Sequence, residues 1–390
     1  MIIRINNAEV YQPTASGQQD VLVAGALVAA IGNDLGIAGD LVAQVDATGC
    51  IVVPGFVDSL AHIIGGGGEG GFRTRTSEMN IADPIRAGVT TLVGVLGTDA
   101  VTRTLTNLLA KARAFDEEGL TCYCHTGSYQ IPARTLFNDV MEDLVLVDKF
   151  IGVGEVAIAD HRSSQPTLDE LKKLAAQARV GGMLAGKSGV VSVHVGSAPQ
   201  GVEQLMQVAA QSDLPITQFY PTHINRNQRL LTQGFAYVAK GGYIDFTTST
   251  TPHDLAGGEI KCSEALAQAV ALGVNIANIT FSSDANASLP MFDEHNNFIG
   301  LGEGRIASLY EEFVDSVKLG VPLATALSVI TSNPARILKL PSKGKITAGG
   351  DADLVLLDAK DLTIRAVMAR GVWLYSDGTL TDIKARFAPA

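Results

Sequence analysis

The feature that most constrains this chain is a rhythm that fills its middle. Eight continuous apolar runs alternate with amphipathic stretches: Ile51 to Asp58, Thr90 to Gly97, Thr121 to Tyr129, Val153 to Asp160, Val190 to Gly196, Ile216 to His223, Tyr243 to Ser249 and Asn278 to Asp284. A half-exposed strand alternates apolar with polar residues, whereas these runs are apolar throughout, which is the pattern of parallel strands buried on both faces. The intervening stretches, among them Arg103 to Glu118, Leu168 to Val180, Val202 to Gln211, Ser263 to Leu272 and Arg305 to Leu319, carry apolar residues at helical spacing. Eight strand and helix units predict an α/β chain built as a (β/α)8 TIM barrel, whose site lies at the carboxyl ends of the strands. An open doubly wound sheet is the alternative, and strand count together with the position of the reactive residues favours closure.

Short β-rich groups flank the barrel: Ile2 to Ile5, Asp20 to Val23, Leu27 to Ile31 and Leu41 to Asp46 at the start, and Ala352 to Leu357, Ile364 to Ala369 and Val372 to Tyr375 at the end. Neither group is long enough to enclose a core alone. Pairing them gives a small β-sandwich domain built from both termini, so the expected division is 1–53, 54–342 and 343–390.

Composition excludes several partners. A net charge of -11 argues against nucleic acid, whose phosphates need clustered Lys and Arg. No apolar run is long enough for a membrane span, and the first residues lack the pattern of a secretory signal, so no membrane partner and a cytoplasmic location are expected. Cys50, Cys122, Cys124 and Cys262 have neither zinc-type spacing nor disulfide density. The alternation of Cys122 and Cys124 around Tyr123 reads as core thiols.

Four segments close on a residue that binds metals or moves protons. They are the segments ending at His62, at His194, at His223 and at Asp284. Neutral imidazoles and a carboxylate are the ligand set for zinc or a similar divalent ion. One such histidine is most simply a structural residue. Three such residues, His194, His223 and Asp284, at equivalent strand ends of a barrel point to a site instead.

The stretch Val53-Pro54-Gly55-Phe56-Val57-Asp58 followed by His62, together with the late Gly349-Gly350-Asp351-Ala352-Asp353-Leu354-Val355 segment, resembles the amidohydrolase superfamily. Within it the chain is most similar to the isoaspartyl dipeptidases, which cleave β-aspartyl dipeptides. The segments carrying that resemblance are Ile64-Gly65-Gly66-Gly67-Gly68-Glu69-Gly70-Gly71, Gly97-Thr98-Asp99, Thr126-Gly127-Ser128-Tyr129, Asp160-His161-Arg162-Ser163, Pro221-Thr222-His223-Ile224-Asn225-Arg226 and Ser282-Ser283-Asp284. The resemblance implies two zinc ions, one held by His194 and His223 and the other by His62 and Asp284. It implies that Asp284 accepts a proton from the attacking water and that Tyr129 donates to the developing oxyanion. It further implies a small dipeptide substrate, with Glu69 on its amino group and Arg162, Arg226 and Ser288 on its carboxylates. Gly67 and Thr98 complete the binding set, and a homo-oligomer is implied.

Two positions depart from the family pattern. The family's barrel usually offers a carboxylated lysine from strand four to bridge the metals, and the matching position here is Glu155, which already carries a carboxylate. The second departure is Leu60, which stands where strand one normally has the first histidine of a His-x-His pair. Leucine coordinates nothing, so the metal shared by His62, Glu155 and Asp284 is expected to bind more weakly. Three functions follow: an isoaspartyl dipeptidase, active or impaired; a different amidohydrolase, such as an N-acyl amino acid deacylase or cyclic amidase; or a catalytically silent dipeptide-binding homologue.

Overall fold

The computed structural model describes residues 2–293, 295, 297–381 and 383–387. All eight expected runs contain strands, and their order in space follows their order in the chain. Phe56–Ala61, Val89–Gly94, Thr121–Thr126, Phe150–Ile158, Val190–Val195 and Phe219–Thr222 form one six-stranded parallel sheet. Ile244–Thr247 and Ile279–Ser282 pair in parallel with each other. The last strand returns to the first through Asp284 N donating to Leu60 O (3.1 Å) and His62 N donating to Ala285 O (2.8 Å). The sixth meets the seventh where Thr222 Oγ1 donates to Asp245 Oδ2 at 2.7 Å. The arrangement is TIM-barrel-like, with each strand's carboxyl end on the same side.

The helices form where the sequence pattern places them, and local signals set their ends. Leu168–Ala185 starts at a capping box between Thr167 and Glu170 and stops at Gly186, whose φ of 67° only glycine adopts easily. Its buried face is Leu171, Leu174, Ala175 and Ala178, a helical spacing that covers the sheet. Each buried leucine contributes about 1.5–3 kcal/mol.

Inside the sheet the chemistry is layered. Val57, Ile151, Val190 and Tyr220, near the amino ends of their strands, pack with Ile337, Leu338 and Leu340 from the segment that closes this end. Farther along, the interior turns polar: Tyr220 donates to Ser59 Oγ (3.1 Å), and Asp245 accepts from Thr280 Oγ1 (2.6 Å) and Ser282 Oγ. Reactive groups are therefore confined to one end. Cys122 and Cys124 lie in the main apolar core, and all four cysteines are free and buried.

The run Ile51 to Asp58 is two strands. Cys50–Pro54 belongs to the terminal sheet and Phe56–Ala61 to the barrel, divided at Gly55. A Cβ on Gly55 would stand 2.2 Å from Thr90 Oγ1, so the junction requires glycine.

The two chain ends meet as expected, in one continuous eight-stranded mixed sheet. Cys50–Pro54 lies between Ile2–Tyr11 and Leu354–Asp358, so an early and a late segment are neighbours. Alternation along the strands divides their side chains: Val52, Leu354 and Leu356 enter a core made of terminal residues, whereas Ile51, Val53, Val355 and Leu357 face the main core. A hairpin of Ser288–Phe292 and Phe298–Glu303, which the sequence rhythm does not foretell, follows the eighth barrel strand.

Candidate metal centre

Three adjacent strands bring Glu155, His194 and His223 together. Glu155 Oε1 lies 3.1 Å from His194 Nδ1 and 2.9 Å from His223 Nε2, and all three side chains are buried. Their ligand atoms lie within 4.8 Å of one another. The second carboxylate oxygen, Glu155 Oε2, is 3.8 Å from His62 Nε2, which in turn is 3.1 Å from Asp284 Oδ1. Glu155 therefore stands between two groups of donors.

The donors have the chemistry that a divalent cation needs. Glu155 Oε2 and His62 Nδ1 are buried without a hydrogen-bond partner. A buried unpaired carboxylate oxygen is costly, and a cation between it and the imidazoles removes that cost. Burial pushes the His223 imidazole down to about 4, which keeps it neutral and able to coordinate. Burial alone raises Glu155, but the two imidazoles beside it, His194 and His223, outweigh that and hold the carboxyl well below its ordinary range. The residues present fit zinc or a similar ion.

Backbone geometry marks the same positions. His223 and Asp284 have φ of 64° and 51°, left-handed values that cost a residue with a side chain about 1–3 kcal/mol. Outer contacts orient the rings: His194 Nε2 is 2.9 Å from Asp160 Oδ2 and His223 Nδ1 is 2.5 Å from Thr247 Oγ1. Neither Asp160 nor Thr247 was assigned a role from sequence, because nothing in their local spacing reports a partner on another strand.

A cavity of about 340 Å³ opens above these groups. His62, Gly67, Glu69, Thr98, Tyr129, Arg162, His194, Arg226, Asp284 and Ser288 line it, so the residues singled out from sequence converge. Glu155 and His223 are buried and do not line it. Glu69 Oε1 accepts from Thr98 Oγ1 at 2.7 Å and lies 3.4 Å from Arg162 Nη1. A side chain at Gly67 would be strained, because its φ is 33° and a Cβ would meet Ser288 Cβ at 2.9 Å. Arg226 Nε donates to Val195 O (3.1 Å), Ser288 Oγ donates to Thr74 O (2.6 Å), and the Tyr129 hydroxyl is 2.7 Å from His194 Nδ1. A cavity lined by Glu69, Asp254, Arg162 and Arg226 around a metal-binding cluster suits a small zwitterionic molecule.

Two parts of the wall carried no assigned role from sequence. His253 sits in the short helix Pro252–Ala256 and lines the cavity with Thr251 and Asp254. The Thr251–Asp254 capping box and Pro252 at the helix start were the available signal. Leu289, Pro290 and Met291 of the hairpin form an apolar side. Leu60 is buried, does not line the cavity and joins none of the apolar clusters of the described residues. Strand pairing slips by one residue between Asp58 and Ala61, so strict alternation does not run through this segment.

Comparison with known proteins agrees with this geometry. The model of the amidohydrolase family matches residues 51–374. The structure of a β-aspartyl dipeptidase from Fervidobacterium islandicum AW-1 in complex with β-Asp-Leu dipeptide is similar over 98% of this chain and 100% of that one, with 43% identity and a TM-score of 0.90. Another structure of a β-aspartyl dipeptidase from that organism has 41% identity over 98% of this chain and 100% of that one, with a TM-score of 0.89. An allantoinase from Enterococcus faecalis is 26% identical over 90% of this chain and 86% of its own length. The family model spans the barrel strands and most of the terminal sheet's late strands, and with the strand-end cluster in place the chain belongs to the amidohydrolase family.

Proposed function

We propose that this chain hydrolyses the isopeptide bond of β-aspartyl dipeptides with the help of bound zinc, and that Leu60 weakens one of two metal positions. The observation that carries the reading is Glu155, one carboxylate reaching His194 and His223 with one oxygen and facing His62 with the other. Similarity to the β-aspartyl dipeptidases at 43% and 41% identity supports the substrate class. We read the eight strands as one closed (β/α)8 barrel over 54–342, with 1–53 and 343–390 as the small domain, in a cytoplasmic homo-oligomer.

His194, His223 and Glu155 would hold one ion, and His62, Asp284 and Glu155 would hold the other. A bound divalent ion lowers the pKa of water and polarises a carbonyl. The protein's own groups do the rest. Glu69 pairs with the substrate's ammonium, while Arg162, Arg226 and Ser288 receive its carboxylates, with Gly67 and Thr98 shaping the approach. Asp284 Oδ1, 3.1 Å from His62 Nε2, takes the proton of the attacking water and returns it to the departing amine. Tyr129 donates its hydroxyl to the oxygen that becomes negative.

Leu60 also favours a second reading, a protein that binds the dipeptide without cleaving it. Leu60→His distinguishes the two. Zinc content and hydrolysis of β-Asp-Leu are measured for both forms at saturating zinc; the substitution is expected to raise both. Two equivalents of zinc and full turnover in the present chain would refute the weakening assigned to Leu60. Binding without turnover in either form would favour the second reading, and turnover of acyl amino acids or cyclic imides alone would remove the β-aspartyl assignment.

A further inference from the structure

Asp160 follows the fourth strand and touches two groups of the site, Arg162 and His194. Its Oδ1 accepts from Arg162 N (2.8 Å) and Arg162 Nε (2.9 Å), and its Oδ2 accepts from Arg162 Nη2 at 2.7 Å. The same Oδ2 lies 2.9 Å from His194 Nε2. One carboxylate thus grips a guanidinium that lines the cavity and an imidazole of the metal cluster.

The tautomer of His194 follows from its neighbours. Arg162 Nη2 is 3.1 Å from His194 Nε2, but a guanidinium only donates, and its shorter contact is to Asp160. An Nε2 proton directed at Asp160 is therefore favoured over an Nε2 lone pair beside a carboxylate. That choice leaves the Nδ1 lone pair to accept from the Tyr129 hydroxyl at 2.7 Å and, 3.1 Å from Glu155 Oε1, available to an ion that would bind there. Arg162 is fixed by the same group: with Nε and Nη2 engaged, Nη1 remains for the cavity, 3.4 Å from Glu69 Oε1.

We propose that Asp160 is the positioning residue that couples metal binding to substrate binding, by fixing the His194 tautomer and the direction of the Arg162 fork with one carboxylate. The substrate half rests on the proposed function; the metal half does not. Substrate carboxylate drawn to Arg162 and zinc drawn to His194 thus act on a shared group, so each ligand stiffens the other's site.

Two measurements test this on the full-length protein. The first needs no variant: 15N-histidine NMR of the zinc-loaded chain reads the His194 tautomer directly, since coordinates without hydrogens assign it only from its neighbours. An Nε2–H signal is expected, and an Nδ1–H signal overturns the proposal. The second is Asp160→Asn, judged folded by its circular dichroism and melting curve. Zinc Kd by chelator competition is expected to rise 10- to 100-fold, and KM for β-Asp-Leu to rise at least tenfold at saturating zinc with kcat changed less than threefold. Zinc affinity within threefold of the parent overturns the coupling. Loss of zinc affinity with no β-Asp-Leu turnover in either the parent chain or its Leu60→His form removes the dipeptidase reading and leaves the role of Asp160 toward the metal intact.

Discussion

Replacing Glu155 with glutamine isolates the charge of the candidate metal centre while keeping its volume. The carboxylate is fully buried and lies between two imidazole nitrogens at 3.1 and 2.9 Å, with a third at 3.8 Å from its other oxygen. At an effective dielectric near 20, two unit charges about 4 Å apart attract by about 4 kcal/mol, so a divalent ion gains about 8 kcal/mol from this carboxylate. Part of that is offset, because the ion and the carboxylate must each be desolvated. Removing one partner of a buried charged pair leaves a net loss of about 3–5 kcal/mol. At 1.4 kcal/mol per tenfold, zinc affinity should fall from about 100-fold to several-thousand-fold. The assay is zinc Kd by chelator competition, with stoichiometry from elemental analysis. A Glu155→Gln protein that keeps its zinc affinity within tenfold and its stoichiometry unchanged would refute the placement of Glu155 at the centre.

Two further substitutions address other parts of the molecule. Tyr129→Phe should lower kcat on β-Asp-Leu by about 100- to 1,000-fold, as loss of an oxyanion donor does, with zinc affinity preserved; an unchanged kcat removes Tyr129 from the reaction. Asp245 is pushed up to about 7 by burial, against the lowering effect of hydrogen bonds from Ser282, Thr280 and Thr222. Because the folded state holds this proton more tightly than the unfolded chain, the stability it supplies at low pH is lost as pH rises through about 7. Asp245→Asn escapes that loss, so urea denaturation should show its stability relative to the parent improving by about 3 kcal/mol between pH 5 and pH 8. A pH-independent difference would show that Asp245 ionises normally in the fold.

Much of the site was legible because strand ends announce themselves locally. A buried parallel strand is continuously apolar, and its carboxyl end meets a loop, so His194, His223 and Asp284 stand out where the runs of Val190–Val195, Phe219–Thr222 and Ile279–Ser282 stop. Glu155 was harder, since it lies within Phe150–Ile158 and only its distance from Asp160-His161-Arg162 marked it. Asp160 and Thr247 escaped notice because an outer contact is made across strands, and no periodicity in either segment reports it. The hairpin of Ser288–Phe292 and Phe298–Glu303 was likewise hidden, although its Leu289, Pro290 and Met291 form a wall of the cavity.

Two kinds of information are therefore separable in this protein. Residue order alone determined the eight buried runs, the helices between them and the identity of the groups at their ends, since burial and capping act over a few neighbouring residues. Tertiary structure alone decided that Ile51 to Asp58 divides at Gly55, that Cys50–Pro54 joins Leu354–Asp358 across the length of the chain, and that Glu155 turns one oxygen to each side of the centre. Those outcomes depend on contacts between segments far apart in sequence. A hydrogen bond or a 2.2 Å clash exists only once both partners have been brought together.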